Sequence, residues 1–303
     1  MSIILGAISL GLLWAIMVMG VYITYRILDV ADLSVEGTLP LGAAVAARLI
    51  TAGMNPWAAT LIALFSGLIG GLITALLHTR LKIPALLSGI LTMLAMWSIN
   101  LRVMGGANGR SNTPLLRVDT VYTFLQESGL DKTNASLVLE CSIVVIVAVI
   151  LYWFFGTELG SAVRATGNNP NMVRAQGINT NNMIILGLMI SNGLVALAGA
   201  LIAQYQGFAD VTMGVGSIVI GLASLIIGEV VFGTRSFKNS LISIILGAVL
   251  YRMIIAGVLK LGMKANDLKL FTAITVAICL ALPLFKSYLN TLKKSAKTPK
   301  EGC

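Results

Sequence analysis

Charge is scarce in this chain. Only 11% of its 303 residues are Asp, Glu, Lys or Arg, and the mean hydropathy is +0.92. A soluble protein carries about a quarter charged residues, so a water-soluble globular domain is excluded. Cysteine and histidine are nearly absent too. Of the three cysteines, Cys141 and Cys279 lie inside apolar runs and Cys303 is terminal. No CxxC or Cys/His spacing exists, so neither a metal site nor a disulfide framework is expected. The single histidine, His78, closes an apolar run, where an interfacial or packing role suits it better than catalysis. There is no G-x-x-x-x-G-K-[ST] loop to cradle ATP phosphates. There is also no G-x-S-x-G, HExxH or loop cluster of acids, which disfavours a membrane-embedded enzyme. Basic residues number 21 against 12 acidic ones, but they are scattered. No basic patch interleaves with aromatics, so nucleic-acid binding is not expected.

What the chain does have is long apolar runs. They fall at 3–24, 38–52, 57–78, 84–102, 136–155, 183–203, 216–231, 239–258 and 268–285. Runs of about twenty residues suit bilayer-crossing helices, and barrel strands would alternate in polarity instead. The expectation is an all-α polytopic bundle with eight to ten crossings. Residues 1–285 form one membrane domain and 286–303 a basic tail. The first run is too long for a signal-peptide core and lacks a basic start, so it reads as a retained helix. Placing the tail (Lys286, Lys293, Lys294, Lys297, Lys300) in the cytoplasm puts 156–182, the turn 78–84 and 232–238 on that same side. The N-terminus and the loop 103–135 then lie outside. Loops of that length are uncommon unless they do something, so a dock for an external partner competes with a plain solvated loop.

The longest polar interruption between apolar runs that still reads as ordered is 157–179, TELGSAVRATGNNPNMVRAQGIN. Asn169-Pro170 is a helix start: the Asn side chain caps free N–H groups and Pro suits the first helical position. Gly177 is a stop, because Gly enters the left-handed conformation without strain. Between them Met172, Val173 and Ile178 are apolar anchors, and Arg164, Arg174 and Gln176 are polar contacts. Such a helix either docks on a partner or rests on lipid headgroups.

Two segments resemble each other. Ala31-Asp32-Leu33-Ser34 precedes GTLPLGAA at 37–44, and Ala209-Asp210-Val211-Thr212 precedes GSIVIGLA at 216–223. The copies start five crossings apart, and an odd number inverts one relative to the other. Inverted repeats with broken helices mark transporters. Asp32 and Asp210 are each placed to cap the half-helix that follows. Intramembrane carboxylates are costly and face the bundle interior, which makes Asp29, Asp32, Glu36 and Asp210 path candidates, with Ser34 and Thr212 beside them. Alternatively, these acids cap helices in interfacial water. Asn192, Gln204 and Gln206 could bond a substrate or a neighbouring helix. Gly67, Gly70, Gly71, Gly187, Gly193 and Gly199 permit close helix approach.

The residues LDVADLSVEGTLPLGAAVAA, GSAVRATGNNPNMVRAQGIN and ALAGALIAQYQGFADVTMGVGSIVIGLASLIIGEVVFG resemble permease subunits of ATP-binding-cassette importers. The branch is that of the branched-chain amino-acid and ribose permeases. Within it, the likeness is to permeases found with substrate-binding lipoproteins, some associated with aromatic amino acids. The resemblance implies a bacterial inner-membrane protein and a paired or homodimeric permease. It also implies an external binding protein and a separate ATPase that uses ATP and Mg²⁺, while this chain binds no cofactor. Arg164, Gly167, Asn169, Pro170, Arg174 and Gly177 fall within the implied coupling segment. The acidic-Ala-Ala start found in other importer branches is replaced by Ala175-Gln176-Gly177. An ion-coupled secondary transporter is the rival from a different class. Sugars and nucleosides are rival substrates to an amino acid.

Overall fold

Backbone groups in lipid must bond within their own segment, and each of the first eight apolar runs forms a helix. The structure is a computed structural model that describes residues 2–105, 111–116, 118–126 and 132–260, with isolated positions from 270 to 281. The run 268–285 and the tail 286–303 fall almost wholly outside the described residues. In chain order the elements are α1 (Ser2–Tyr22), α2 (Val35–Thr51), α3 (Pro56–Thr79), α4 (Ala85–Gly105), β1 (Asn112–Pro114), α5 (Val121–Gln126) and α6 (Lys132–Gly156). Then come α7 (Glu158–Asn168), α8 (Pro170–Ala175), α9 (Thr180–Gln206), β2 (Phe208–Asp210), α10 (Ser217–Phe232) and α11 (Phe237–Lys260). Among the described residues, seven helical stretches are long and apolar enough to span a bilayer. The eighth run, α2, has only 17 residues. It is buried on nearly every face, as a helix apolar all round must be.

The repeat is expressed in the packing. The unit α1–α2–α3 and the unit α9–α10–α11 exchange partners: α1 lies on α11, α9 on α3, α2 on α9 and α10 on α1. Glycine and alanine make these approaches close. A Cβ on Gly42 would fall 2.0 Å from the Ala196 carbonyl oxygen, and one on Gly199 would fall 2.0 Å from that of Leu39. Gly67 and Gly71 press in the same way on the backbone of Asn192 and Leu188. On α1, Gly20 faces the Ser191 carbonyl, and the Ser191 hydroxyl donates to Gly20 O at 2.7 Å.

Both repeat units break where the pattern predicts, but α2 does not start at a membrane face. Thr38 bonds Asn192, Gly42 abuts Ala196, and Ala43 to Ala47 cluster with Ala200 and Ala203. Thus α2 runs parallel to α9 and begins beside its middle. The chain reaches that point through a π-helical turn, Ile23–Ile27, and a connector whose Asp29 has φ 55°. Pro40 inside α2 cannot donate to the Glu36 carbonyl. Gly214, from the second break, fits against that carbonyl and the Pro40 ring.

The loop 103–135 is not free throughout. Asn112, Thr113 and Pro114 pair antiparallel with Asp210, Ala209 and Phe208. His78 bonds the Ile83 carbonyl through Nδ1 at 2.8 Å, closing the turn between α3 and α4.

Candidate translocation core and coupling arm

At the first break the chain buries a carboxylate that pairs with no cation among the described residues. Asp32 is 2% exposed, and Ser34, Thr38 and Asn192 are fully buried. Oδ1 of Asp32 accepts from the Ser34 backbone N–H at 2.9 Å and from its hydroxyl. Oδ2 accepts from Asn192 Nδ2 at 2.8 Å. Oδ1 of Asn192 accepts from Thr38 Oγ1 at 2.6 Å and lies 3.1 Å from Ser34 Oγ. Ser34 has one hydroxyl proton and two acceptors within reach. With Asp32 ionised, that proton points to Asp32. With Asp32 protonated, Asp32 donates instead and Ser34 turns to Asn192. The cluster can therefore change its charge without breaking its connectivity. Gly89 of α4 closes it from the side, since a Cβ there would meet Leu33 N at 2.7 Å and Asp32 Oδ1 at 3.3 Å.

The second break repeats the local chemistry in a more open setting. Asp210 Oδ1 accepts from the Thr212 N–H at 2.7 Å and from the Thr212 hydroxyl, as Asp32 does from Ser34. Asp210 Oδ2 also accepts from Asn112 at 3.3 Å. Glu36 crosses between the breaks: its Oε1 accepts from the Gly216 N–H at 3.1 Å, ahead of α10.

The other path candidates do not join this cluster. Gln204 is consumed at the far end of α9, where Oε1 accepts from the Val121 N–H at 3.1 Å and Nε2 donates to Thr60 Oγ1 at 2.8 Å. Gln206 is exposed at the C-terminal end of α9, four residues before Asp210. Asp29 lies instead on a polar cleft of about 830 Å³ at the opposite end, with Arg26, Arg164, Glu229 and Arg235. Pattern alone missed Thr38, because a lone Thr in an apolar run usually bonds the preceding turn, as it also does here to Ser34 O at 3.0 Å. It also missed Glu140, a fully buried acid on α6 set beside the hydroxyls of Ser9 and Tyr122. Arg252 of α11, stacked 4.1 Å over the Trp14 ring, was likewise not anticipated.

The arm between α6 and α9 has the expected ends. Asn169 Oδ1 accepts from the Met172 N–H at 3.1 Å, and Pro170 opens α8. Gly177 has φ +82°, and Ile178 N returns to Val173 O at 3.2 Å. Val173 is buried while Met172 is 49% exposed. A second helix precedes it: α7, capped by Thr157, whose hydroxyl accepts from Gly160 N at 3.3 Å. Two of the coupling candidates are tied back to the bundle, although Arg174 is itself exposed. Gly167 lies so close to the π-helical turn that a Cβ would fall 1.8 Å from Ile27 O. Arg174 donates through Nε to Thr180 at 2.8 Å. Arg164 is held 5.0 Å above the Phe237 ring. At the same end Arg26 pairs with Glu229 at 3.3 Å. The arm thus bears directly on the connector that leads to Asp32.

Residues 3–282 match the family model described as branched-chain amino acid transport system / permease component. A tyrosine transport system permease protein of Clostridioides difficile (strain R20291) is 42% identical over 281 residues, which is 93% of this chain and 91% of the relative. A Rickettsia prowazekii (strain Madrid E) protein named as uncharacterized is 34% identical over 93% of this chain and 98% of its own length. A fructose import permease protein of Bifidobacterium longum (strain NCC 2705) is 26% identical over 82% of this chain and 68% of its own. No solved structure matches significantly.

Proposed function

The chain belongs to the branched-chain amino acid transport permease family, and from that premise we propose that it is the permease of an importer for a small polar solute, an amino acid, with the aromatic ones foremost. ATP-binding-cassette importer permeases work with an ATPase and a substrate-binding protein. In our proposal α8 is the knob that the ATPase grips on the cytoplasmic face. Arg174 and Met172, both exposed on α8, are its outward contacts, and Asn169, Pro170 and Gly177 fix its ends. Gly167 transmits displacement to the Ile23–Ile27 turn by direct backbone contact.

The observation that carries the proposal is the carboxylate of Asp32, buried without a cation among the described residues, beside a helix that starts at mid-depth. Intramembrane acids held in the interior mark transport paths, and a carboxylate suits the ammonium of a zwitterion. Alternating access then needs ATP and the loaded binding protein to favour different states, since a ligand shifts an equilibrium only by its differential affinity. The path runs along the broken helices, with Asp32, Ser34, Thr38 and Asn192 near one break and Glu36, Asp210 and Thr212 near the other.

The test is uptake of radiolabelled tyrosine into proteoliposomes holding the permease, its ATPase and its binding protein. Saturable, ATP-dependent accumulation that fructose does not compete with is the expected result. Accumulation by the permease alone on an ion gradient would overturn the ATPase-driven mechanism. Competition by sugars but not by amino acids would overturn the substrate class.

A further inference from the structure

Near the end of the bundle that carries the arm, α6 and α11 barely touch and leave a groove of about 770 Å³. Its walls are mostly apolar: Val149, Tyr152, Trp153 and Phe155 from α6, and Phe237 from α11. Its lining carries two cations, Arg164 and Lys238, and no acid among the described residues. Lys238 and Arg164 are both exposed. Arg164 is fixed in direction by its seat over Phe237 at 5.0 Å. Gly156 leaves the upper wall open, with nothing within 4 Å of where a Cβ would be.

The depth of the groove identifies its occupant. Trp153 is 71% exposed and Tyr152 is 52% exposed, and aromatics of this kind gather at the membrane–water interface. Val149 lies about 10 Å from the Gly156 end of α6, at 1.5 Å of rise per residue, inside a stretch apolar enough to span the bilayer. A protein partner docking from water reaches the cations but not Val149. A free anion reaches the cations and has no use for the apolar wall. A molecule with an anionic head and a hydrocarbon tail uses both, and basic pockets between membrane helices bind such headgroups. We propose that this groove holds an anionic phospholipid, its phosphate between Arg164 and Lys238 and an acyl chain along Val149, Tyr152 and Trp153. Arg164 belongs to α7, so the lipid contacts the arm itself.

Trp153 lies in the groove and reports its occupancy. The permease is reconstituted in phosphatidylcholine vesicles with increasing fractions of phosphatidylglycerol brominated on its acyl chains. The Trp153 fluorescence is taken as the difference between the wild type and Trp153→Phe. Half-maximal quenching is expected at a severalfold lower mole fraction of brominated phosphatidylglycerol than of brominated phosphatidylcholine. Lys238→Gln should raise that fraction about fivefold, the effect of one charge near a membrane surface, while Lys238→Arg retains the wild-type value. Equal quenching by the two lipids, indifference to Lys238→Gln, or a Trp153 shielded from both lipids would each overturn the proposal.

Discussion

The pairing of Asp32 with Asn192 can be tested by a double-mutant cycle, because the two members have unequal alternatives. In Asn192→Leu the branched shape of the side chain is kept, but Oδ2 of Asp32 loses its donor, Asn192 Nδ2 at 2.8 Å. A carboxylate oxygen is then buried without a partner, which costs about 3 kcal/mol. Thr38 loses Asn192 as acceptor but retains Ser34 O at 3.0 Å, so it adds little. In Asp32→Ala the losses are milder. Asn192 Nδ2 still reaches Leu188 O at 3.1 Å, and Ser34 Oγ still has Asn192 Oδ1 at 3.1 Å. The Ser34 N–H loses its acceptor, Asp32 Oδ1, and the cost there is about 1 kcal/mol. The double variant has no buried charge left to satisfy, so it should be more stable than Asn192→Leu alone. The coupling energy comes to about 2 kcal/mol, within the range for directly bonded neighbours. The assay is reversible denaturation of the purified permease in one detergent, with all four forms run together. Additive losses would refute the reasoning. So would a double variant less stable than Asn192→Leu, or a larger loss for Asp32→Ala than for Asn192→Leu.

Other expected outcomes concern the arm. Gly177→Pro cannot adopt the φ of +82° and should abolish ATP-dependent uptake while the protein still accumulates in the membrane fraction. Arg174→Glu loses the bond to Thr180 and reverses a charge beside α8; it too should abolish uptake, with membrane insertion unchanged by cell fractionation. Gly167→Val places a side chain where Ile27 O stands. It should uncouple ATP hydrolysis from uptake or lower the yield of folded protein severalfold, read by an ATPase-to-transport ratio and by gel filtration.

Local signals in the chain were legible wherever the physics is local. Asn169-Pro170 and Gly177 mark the ends of α8 because capping and positive φ depend on neighbours a few residues away. The Asp-x-Ser/Thr repeat was legible because both turns close within three residues. The glycine runs foretold tight packing, as Gly67 and Gly71 against α9 bear out. Partners separated by a long stretch of chain were not legible. Asn192 is visibly polar in an apolar run, but its pairing with Asp32 needs the parallel course of α2 beside α9. Gln204 carries the same visible polarity and ends up bracing Val121 and Thr60. The π-helical turn Ile23–Ile27 has no sequence mark, because it is stabilised by its contacts with α7 and α9. The tie between β1 and β2 joins three-residue stretches that no periodicity singles out.

That tie has a mechanical meaning. Asn112 and Thr113 are stitched, residue for residue, to the strip that holds Asp210, and Asn112 also donates to its carboxylate. A tug on the segment after α4 is therefore felt at once by the hinge ahead of α10, with no long relay through the bundle. The arm grips the hinge ahead of α2 from the opposite end. The protein thus has two handles, one at each end, and each pulls on a different hinge of the same pair.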